Sequence, residues 1–313
     1  MEFELPLELQ ESLLALVKDI PKAKLIQAGV ELTSNYRTHH SLFSKEDKIA
    51  YLITRMPATY AVIFHLLQKI QTPIHTLLDL GAGPGTSLWA ANPLFPSLFA
   101  TLIEKDPDMI SLGKRLSPPL SHKWKQGDIT TVEIAPHDLI LLSYVIGELT
   151  ISDLSPLIEK AWKNASQYLV IIEPGTPHGF ERIRFVREKL TSLDCHILAP
   201  CPHANACPMA KNDWCHFSRR IPRTSLHRIV KSGTLGHEDE KFSYLIASKA
   251  PTEAHSRILR HPQRNPGHVT FSLCTPNGLQ TQTLSRKNKE YKKAKKLEWG
   301  DELPYFKSSK ELT

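Results

Sequence analysis

In the N-terminal part of the chain, apolar positions repeat at intervals of three and four, the spacing of one face of an α-helix. The segments KEDKIAYLITRM and PATYAVIFHLLQKI, which meet at Pro57, continue this pattern. A proline interrupts a helix interior, so it separates the two segments. The pattern therefore predicts a helical region over residues 1–72. Its first apolar stripe consists of Leu9, Leu13, Leu16, Val17 and Ile20.

Further along, apolar runs of buried-strand length alternate with helical stretches such as SPLIEKAWKNAS. This alternation is typical of a doubly wound α/β fold, a parallel sheet with right-handed crossovers. We predict such a domain over residues 73–250. The later segments KFSYLIASK and HVTFSLC predict further strands at an antiparallel edge. The five central runs are HTLLDL (75–80), FATLIEK (99–105), the stretch before QGD (126–128), DLILLSY (138–144) and YLVIIEP (168–174).

Charge is unevenly distributed between the two parts of the chain. Residues 1–200 hold 19 Lys and Arg against 22 Asp and Glu, whereas residues 201–313 hold 20 against 10. The net charge of +7 therefore comes from the C-terminal third. A basic region of this kind indicates a polyanionic partner, usually a nucleic-acid backbone. A solvated charged face explains the same charge equally well.

Four of the five cysteines form an unusual set: Cys201, Cys207, Cys215 and the distant Cys274. The first three lie in a loop, residues 195–216, whose spacing is wider than the tight C-x-x-C turns of most zinc fingers. Iron–sulfur clusters are larger and are held by sets of four thiolates. The pattern favours a cluster, with four-cysteine zinc as the alternative.

Two simpler interpretations of these thiols stay open. Free cysteine is often buried, so the four residues could be scattered core positions. A disulfide framework is less favoured, because a chain of 313 residues with 41% apolar residues can bury a core without cross-links. The remaining Cys195 is interpreted as structural.

A glycine-rich turn, LDLGAGPGTS, follows the first predicted strand. Gly81, Gly83 and Gly85 allow a tight turn and a close approach of a ligand to the backbone at the start of a helix. Dinucleotide-binding folds prefer G-x-G-x-x-G, and this chain lacks that spacing.

Three acids accompany the turn: Asp79 before it, Glu104 at the end of the second strand and Asp128 after the third. In this order the loop and acids resemble the class I S-adenosylmethionine-dependent methyltransferases. The resemblance implies that the glycine loop holds the methionine end of the cofactor, that Glu104 holds the ribose hydroxyls and that Asp128 contacts the adenine amino group.

Catalytic residues stay unassigned. Methyltransferases acting on base amines often carry an N/D-P-P-aromatic motif after the fourth strand, where this chain has LSYVIGEL (142–149). Ser143, Tyr144 and Glu148 could line a pocket there. The pair Pro200-Cys201 is similar to the nucleophile motif of cytosine-5 methyltransferases, but it follows the fifth strand, so a ligand role is preferred.

Longer segments are similar to one narrower family: the methyltransferase-like ribosome assembly factors of the mitochondrial small ribosomal subunit, with their bacterial relatives. The similarity extends from about Tyr51 to Asp301. The segments that carry it are DLGAGPGTSLWA, SYVIGELT, IIEPGTPHGFERIRFVRE, PCPHANACPM, DWCHFSRRIPR, GHVTFSLC and YKKAKKLEWGD.

This resemblance implies a 4Fe-4S cluster on the four cysteines and contact with small-subunit ribosomal RNA. The N-terminus is acidic, with no arginine before Arg37, and so does not resemble a presequence. We therefore expect a cytoplasmic, monomeric protein of the bacterial type, without a membrane partner.

A cluster joining the loop to Cys274 would present basic residues to RNA phosphates, with the C-terminal extension, residues 251–313, completing the metal site. Tyr291 and Trp299 are candidates for stacking on bases, with packing as the alternative for Trp299. Three functions remain: an RNA-binding scaffold, an active ribosomal RNA methyltransferase, or, less favoured, a radical enzyme. The candidate RNA-binding residues are Arg219, Arg220, Arg223, Arg228, Arg257, Arg260, Arg264, Lys292, Lys293, Lys295 and Lys296.

Overall fold

The computed structural model describes residues 5–38, 44–231, 234–253 and 255–303. Its helices are α1 (Leu7–Val17), α2 (Lys22–Thr38), α3 (Lys45–Thr54), α4 (Met56–Leu67), α5 (Thr86–Ala91), α6 (Pro107–Leu116), α7 (Ile151–Asn164), α8 (Pro177–Thr191), α9 (Ser225–Val230) and α10 (Tyr291–Ala294), with a short 3-10 helix at Ile146–Glu148. Its strands are β1 (Thr76–Leu80), β2 (Phe99–Glu104), β3 (His122–Gln126), β4 (His137–Ser143), β5 (Ala165–Pro174), β6 (His196–Ala199), β7 (Phe217–Pro222), β8 (His237–Ser248), β9 (Ser256–Ile258), β10 (Gln263–Asn265), β11 (His268–Thr275), β12 (Gly278–Ser285) and β13 (Glu302–Leu303).

The chain divides into two compact units that are each discontinuous in sequence. The first comprises residues 1–133, 137–143 and 219–240, and the second comprises residues 134–136, 144–218 and 241–313. The domain boundaries at residues 72 and 250 stay a prediction.

Parallel strands form the centre of the first unit, in the order β3-β2-β1-β4. In β1 the apolar residues are buried on both faces, as expected for a strand covered by helices. The alternation of strand and helix confirms the predicted α/β class. The order also brings the carboxyl ends of β1 and β2 together, which places the glycine turn beside the end of β2.

The predicted helical region contains α1 to α4. Ser44 begins α3 with a capping box, since its hydroxyl accepts from the Asp47 amide at 2.9 Å while the Asp47 carboxylate accepts from the Ser44 amide at 3.2 Å. Pro57 stands near the start of α4, where a missing N–H is harmless. Within the described residues, no single helix is long and apolar enough to cross a bilayer, and α3 with α4 pass that test only together, bent by 44°.

An antiparallel arrangement characterises the second unit, where β8 lies between β5 and β6. This confirms KFSYLIASK as an antiparallel strand. The position of HVTFSLC differs from the prediction, because this strand, β11, belongs to a separate five-stranded sheet. It forms a long hairpin with β12, in which Thr275 pairs with Gly278 across a two-residue turn. Strand β12 pairs along one edge of β11, and β9 and β10 pair along the other edge.

Candidate metal centre and glycine loop

The four cysteines of the predicted metal site line one cavity in the second unit. Cys201 lies two residues after the end of β6, Cys207 and Cys215 lie in the connection to β7, and Cys274 stands near the end of β11. Cys274 is paired in register with Arg257 of β9. The fold thus brings the distant fourth cysteine to the other three. Apolar side chains complete the surroundings: Phe180, Met209 and Leu259.

These thiols lie within electrostatic range of one another. Burial raises the pKa of Cys215 well above the ordinary thiol value, and the neighbouring Cys201, Cys274 and Cys207 raise it further. Burial likewise raises the pKa of Cys274 to about 12, with Cys201 and Cys207 adding to the effect. Burial therefore favours the protonated thiols of Cys215 and Cys274, and a bound metal must displace those protons.

In the part of the chain that the structure describes, no group of three or more His, Cys, Asp or Glu side chains has the geometry to hold a metal ion. Cys195, which was interpreted as structural, is buried, and its pKa is raised to about 11 by burial.

Two buried arginines surround the cysteine loop. The guanidinium of Arg187 donates from Nε to the Cys201 sulfur at 3.4 Å and from Nη2 to the carbonyls of His203 and Asn205 at 2.8 and 2.6 Å. Sequence reasoning missed Arg187. A signal was present, since it occupies a position of the stripe that α8 buries, together with Phe180, Ile183 and Leu190.

Arg257, predicted to contact RNA, has an internal position instead. It is 2% exposed, and its guanidinium donates to the carbonyls of Pro200 and Gly300 at 3.1 and 2.8 Å and to the Glu302 carboxylate at 2.6 Å. These contacts hold the residue before Cys201 against the C-terminal segment. An arginine enclosed in this way is not positioned to reach a phosphate.

Aromatic rings fix the chain on either side of Cys215. Trp214 stacks on His216, and Trp299 meets both His216 and His261 edge-on with centroids 4.9 and 5.0 Å apart. The Trp214 indole also donates to the Gly175 carbonyl at 2.9 Å. Trp299 is therefore engaged in packing, the alternative that the sequence left open.

The other predicted basic residues fall into three groups. Four arginines form ion pairs: Arg220 with Asp239, Arg223 with Glu238, Arg260 with Asp213 and Arg264 with Glu298. Arg219 is half-buried and Arg228 exposed. Four exposed lysines lie on and just after α10: Lys292, Lys293, Lys295 and Lys296.

The glycine turn lies in the first unit, between β1 and α5. Gly81, Gly83 and Gly85 have φ values of 78°, 52° and 75°, a region that favours glycine. No atom lies within 4 Å of the place where a Cβ on Gly83 would stand. Here the backbone is open to approach by a ligand.

The three acids around this turn have different environments. Asp79 is 3% exposed; the Ser87 hydroxyl donates to it, and burial raises its pKa to about 7. Glu104 accepts from the Gly83 amide at 2.8 Å and, with its other oxygen, from the amides of Lys105 and Asp106 at 2.9 Å. Asp128 is exposed, and its hydrogen bonds from Thr130 lower its pKa.

Sequence reasoning also missed a buried acid beside the segment 142–149. The Glu173 carboxylate, near the end of β5, accepts from the Ile146 amide at 3.0 Å, and burial raises its pKa to about 7. It thereby holds the short 3-10 helix after Tyr144, which has a φ of 59°. Glu173 could have been recognised as a charged residue inside the apolar run YLVIIEP.

Replacing Asp79 with asparagine is expected to favour the folded state increasingly as the pH rises. The folded pKa of about 7 lies above the ordinary value of 3.8. The stability due to the neutral carboxyl is therefore complete below about pH 4 and is lost as the pH rises through about 7. Thermal unfolding at pH 5 and pH 8 measures this change. The exposed Asp128→Asn is the control and should show no comparable change; a pH-independent effect of Asp79→Asn would contradict the argument.

Comparison with known proteins gives the family. A sequence model of the family described as "Mitochondrial small ribosomal subunit Rsm22" matches residues 45–304, and the chain belongs to this family. The human "Ribosome assembly protein METTL17, mitochondrial" is 24% identical over 308 residues, covering 88% of this chain and 66% of that protein. The "Rsm22-cox11 tandem protein 2, mitochondrial" of Schizosaccharomyces pombe is 22% identical over 358 residues, covering 92% of this chain and 47% of that protein. The chain thus spans less than two thirds of the length of these relatives.

Solved structures with some similarity include two methyltransferases. Magnesium protoporphyrin IX methyltransferase from Synechocystis PCC 6803 with bound SAM has a TM-score of 0.42 and 11% identity, covering 70% of this chain and 91% of that chain. The plantazolicin methyltransferase BpumL in complex with SAH has a TM-score of 0.40 and 13% identity, covering 77% of this chain and 99% of that chain.

The relatives correct one prediction. A cytoplasmic location was expected from the N-terminal sequence. That prediction is wrong, because the matched family and the matched relatives from human and fission yeast are described as mitochondrial.

Proposed function

We propose that this protein assists assembly of a mitochondrial-type small ribosomal subunit by binding its RNA, and that it carries a 4Fe-4S cluster on Cys201, Cys207, Cys215 and Cys274. One observation carries the proposal: thiols from a loop and from a strand of another sheet line one cavity. Family membership supports the ribosomal role.

The described residues give no support to a single zinc ion. Zinc–sulfur bonds of about 2.3 Å in a tetrahedron bring the sulfurs to within about 4 Å of each other. The described residues include no group spaced for a single ion, although the four thiols affect one another electrostatically. Sets of four cysteine thiolates are also the usual ligands of the larger iron–sulfur clusters. Structural zinc is the alternative that metal analysis excludes or establishes.

The cysteines would act as cross-links between distant chain segments. When bound, the cluster supplies iron–sulfur bonds and a capacity to exchange electrons. Cys215 and Cys274 enclose a loop of about sixty residues, whose closure restricts the unfolded chain. Cys274 would thereby tie β11 to the cysteine loop. We infer an architectural role: the ligands hold the second sheet and its basic α10 segment in the form that binds RNA.

The glycine turn is the proposed S-adenosylmethionine site. Support comes from the open space at Gly83 and from three acids ordered along β1, β2 and the segment after β3. Glu104 already accepts three backbone N–H groups, so ribose hydroxyls would compete with the Gly83 amide. These features favour ribosomal RNA methylation as the second candidate function. Transfer of labelled methyl groups to RNA by the wild-type protein, and its loss in Asp79→Ala, would support it.

Anaerobic purification of the complete chain tests the primary proposal. We expect about four iron and four sulfide per chain, the content of one such cluster. Binding to small-subunit ribosomal RNA should yield cross-links on the exposed lysines of α10 and the residues that follow it. Zinc without sulfide would overturn the cluster, and cross-links confined to α1 and α2 would overturn the proposed RNA surface.

A further inference from the structure

Arg187 has a buried guanidinium that donates hydrogen bonds to the cysteine loop. Its side chain is on α8, and the residue is 3% exposed. Its hydrogen-bond partners are two carbonyl oxygens, the sulfur of Cys201 and the ring Nδ1 of His203. Among the residues that the structure describes, no carboxylate forms an ion pair with it. Arg257 differs in this respect, because Glu302 balances its charge.

Burying an unbalanced guanidinium is unfavourable, and arginine does not escape the cost by losing its proton. A nearby anion is therefore expected. The cavity that Arg187 lines contains the four cysteines, and Arg187 donates directly to one of them. Cysteines bound to metal are thiolates, so they supply the missing negative charge.

The hydrogen bonds of Arg187 also control the shape of the cysteine loop. Nη2 binds the carbonyls of His203 and Asn205, which lie between Cys201 and Cys207. One planar group thus joins a ligand sulfur to the backbone that separates two ligands. Lysine retains the charge but lacks this fork of donors.

We propose that Arg187 is the positioning residue and counter-charge of the sulfur-bound group, orienting Cys201 and raising the reduction potential of that group. This inference rests on the proposed 4Fe-4S site. Hydrogen bonds and positive charge near cluster sulfurs stabilise the reduced form, which carries one additional negative charge. A role limited to packing would affect protein stability and leave the potential unchanged.

The test compares Arg187→Met and Arg187→Lys with wild type in anaerobically prepared protein. Reductive titration with dithionite, followed by visible and electron paramagnetic resonance spectra, gives the midpoint potential, and a chelator gives the rate of iron loss. Arg187→Met should shift the midpoint to a more negative potential and speed iron loss by roughly ten- to hundredfold. Arg187→Lys should have a midpoint potential close to that of wild type but should lose iron faster than wild type.

Lys189→Met is the matched control, since Lys189 is a cation on the same helix but pairs with Glu159 and is not among the residues that line the cavity. It should leave the potential close to that of wild type. An unchanged midpoint potential and iron-loss rate in Arg187→Met would overturn the inference about Arg187 but not the proposed cluster. If that variant does not fold, wild-type behaviour of Arg187→Lys in iron loss would overturn it. Wild-type protein without iron and sulfide would overturn the proposed cluster and this inference together.

Discussion

Cys274→Ser is expected to abolish stable binding of the iron–sulfur cluster and to expose the second sheet to proteolysis. Serine retains the approximate size of the side chain but cannot supply the thiolate that iron prefers. Cys274 is the one proposed ligand outside residues 201–215, so its loss removes the metal-mediated link between β11 and the cysteine loop. Iron and sulfide analysis, visible spectra and limited proteolysis would measure the two effects.

Cys195→Ser is the matched control for this change. Cys195 is also a buried free cysteine, but it is not among the residues that line the cysteine cavity. It should retain iron and sulfide at the wild-type level, with a modest loss of stability from placing a hydroxyl in a buried site. Full cluster content and wild-type protease resistance in Cys274→Ser would contradict the proposed cross-link.

Replacing the exposed lysines on and after α10 with glutamine is expected to weaken RNA binding by about a hundredfold near physiological salt. Each lost phosphate contact reduces the salt dependence of binding, with a slope of about 0.7 per charge for single strands. Loss of all four contacts should therefore lower the logarithmic slope by about 3. Binding to small-subunit ribosomal RNA over a range of salt concentrations provides both numbers. The changed residues are Lys292, Lys293, Lys295 and Lys296.

A control variant with the same change in net charge distinguishes the loss of local phosphate contacts from a change in the electrostatic field of the whole protein. Four other exposed lysines serve this purpose: Lys18, Lys22, Lys24 and Lys163. Their replacement with glutamine should alter affinity only slightly, because none of them belongs to the α10 segment proposed to bind RNA. Equal effects of the two variants would show that net charge alone governs binding. The proposed RNA surface would then be wrong.

Local patterns predicted much of the fold. The helical repeats of the N-terminal region, the five predicted central strands that became β1 to β5 and the antiparallel strand KFSYLIASK all appear in the structure. The glycine turn was also recognised, because left-handed backbone and a strand end are local properties. HVTFSLC was correctly predicted as a strand but placed in the wrong sheet. Its true partners, β9, β10 and β12, are short or polar and have little apolar pattern.

The surroundings of the cysteines were much less predictable. Nothing in local spacing distinguishes Arg257, which is enclosed by Pro200, Gly300 and Glu302, from Arg228, which is exposed. The charge of a segment predicts that its side chains are exposed on average. The burial of one particular side chain depends on which distant segment covers it. Arg187 was overlooked for the same reason.

By itself, the sequence determined the α/β class, the glycine turn with its acids and the set of four cysteines, because periodicity and residue chemistry are encoded over short stretches. Only the tertiary structure decided that Cys274 meets the loop of Cys201, and that Arg187 and Arg257 face inward rather than toward solvent. The physical reason is that strand pairing across long sequence separations places these groups together. Such pairing depends on the packing of the whole unit and leaves no local signature in the residues themselves.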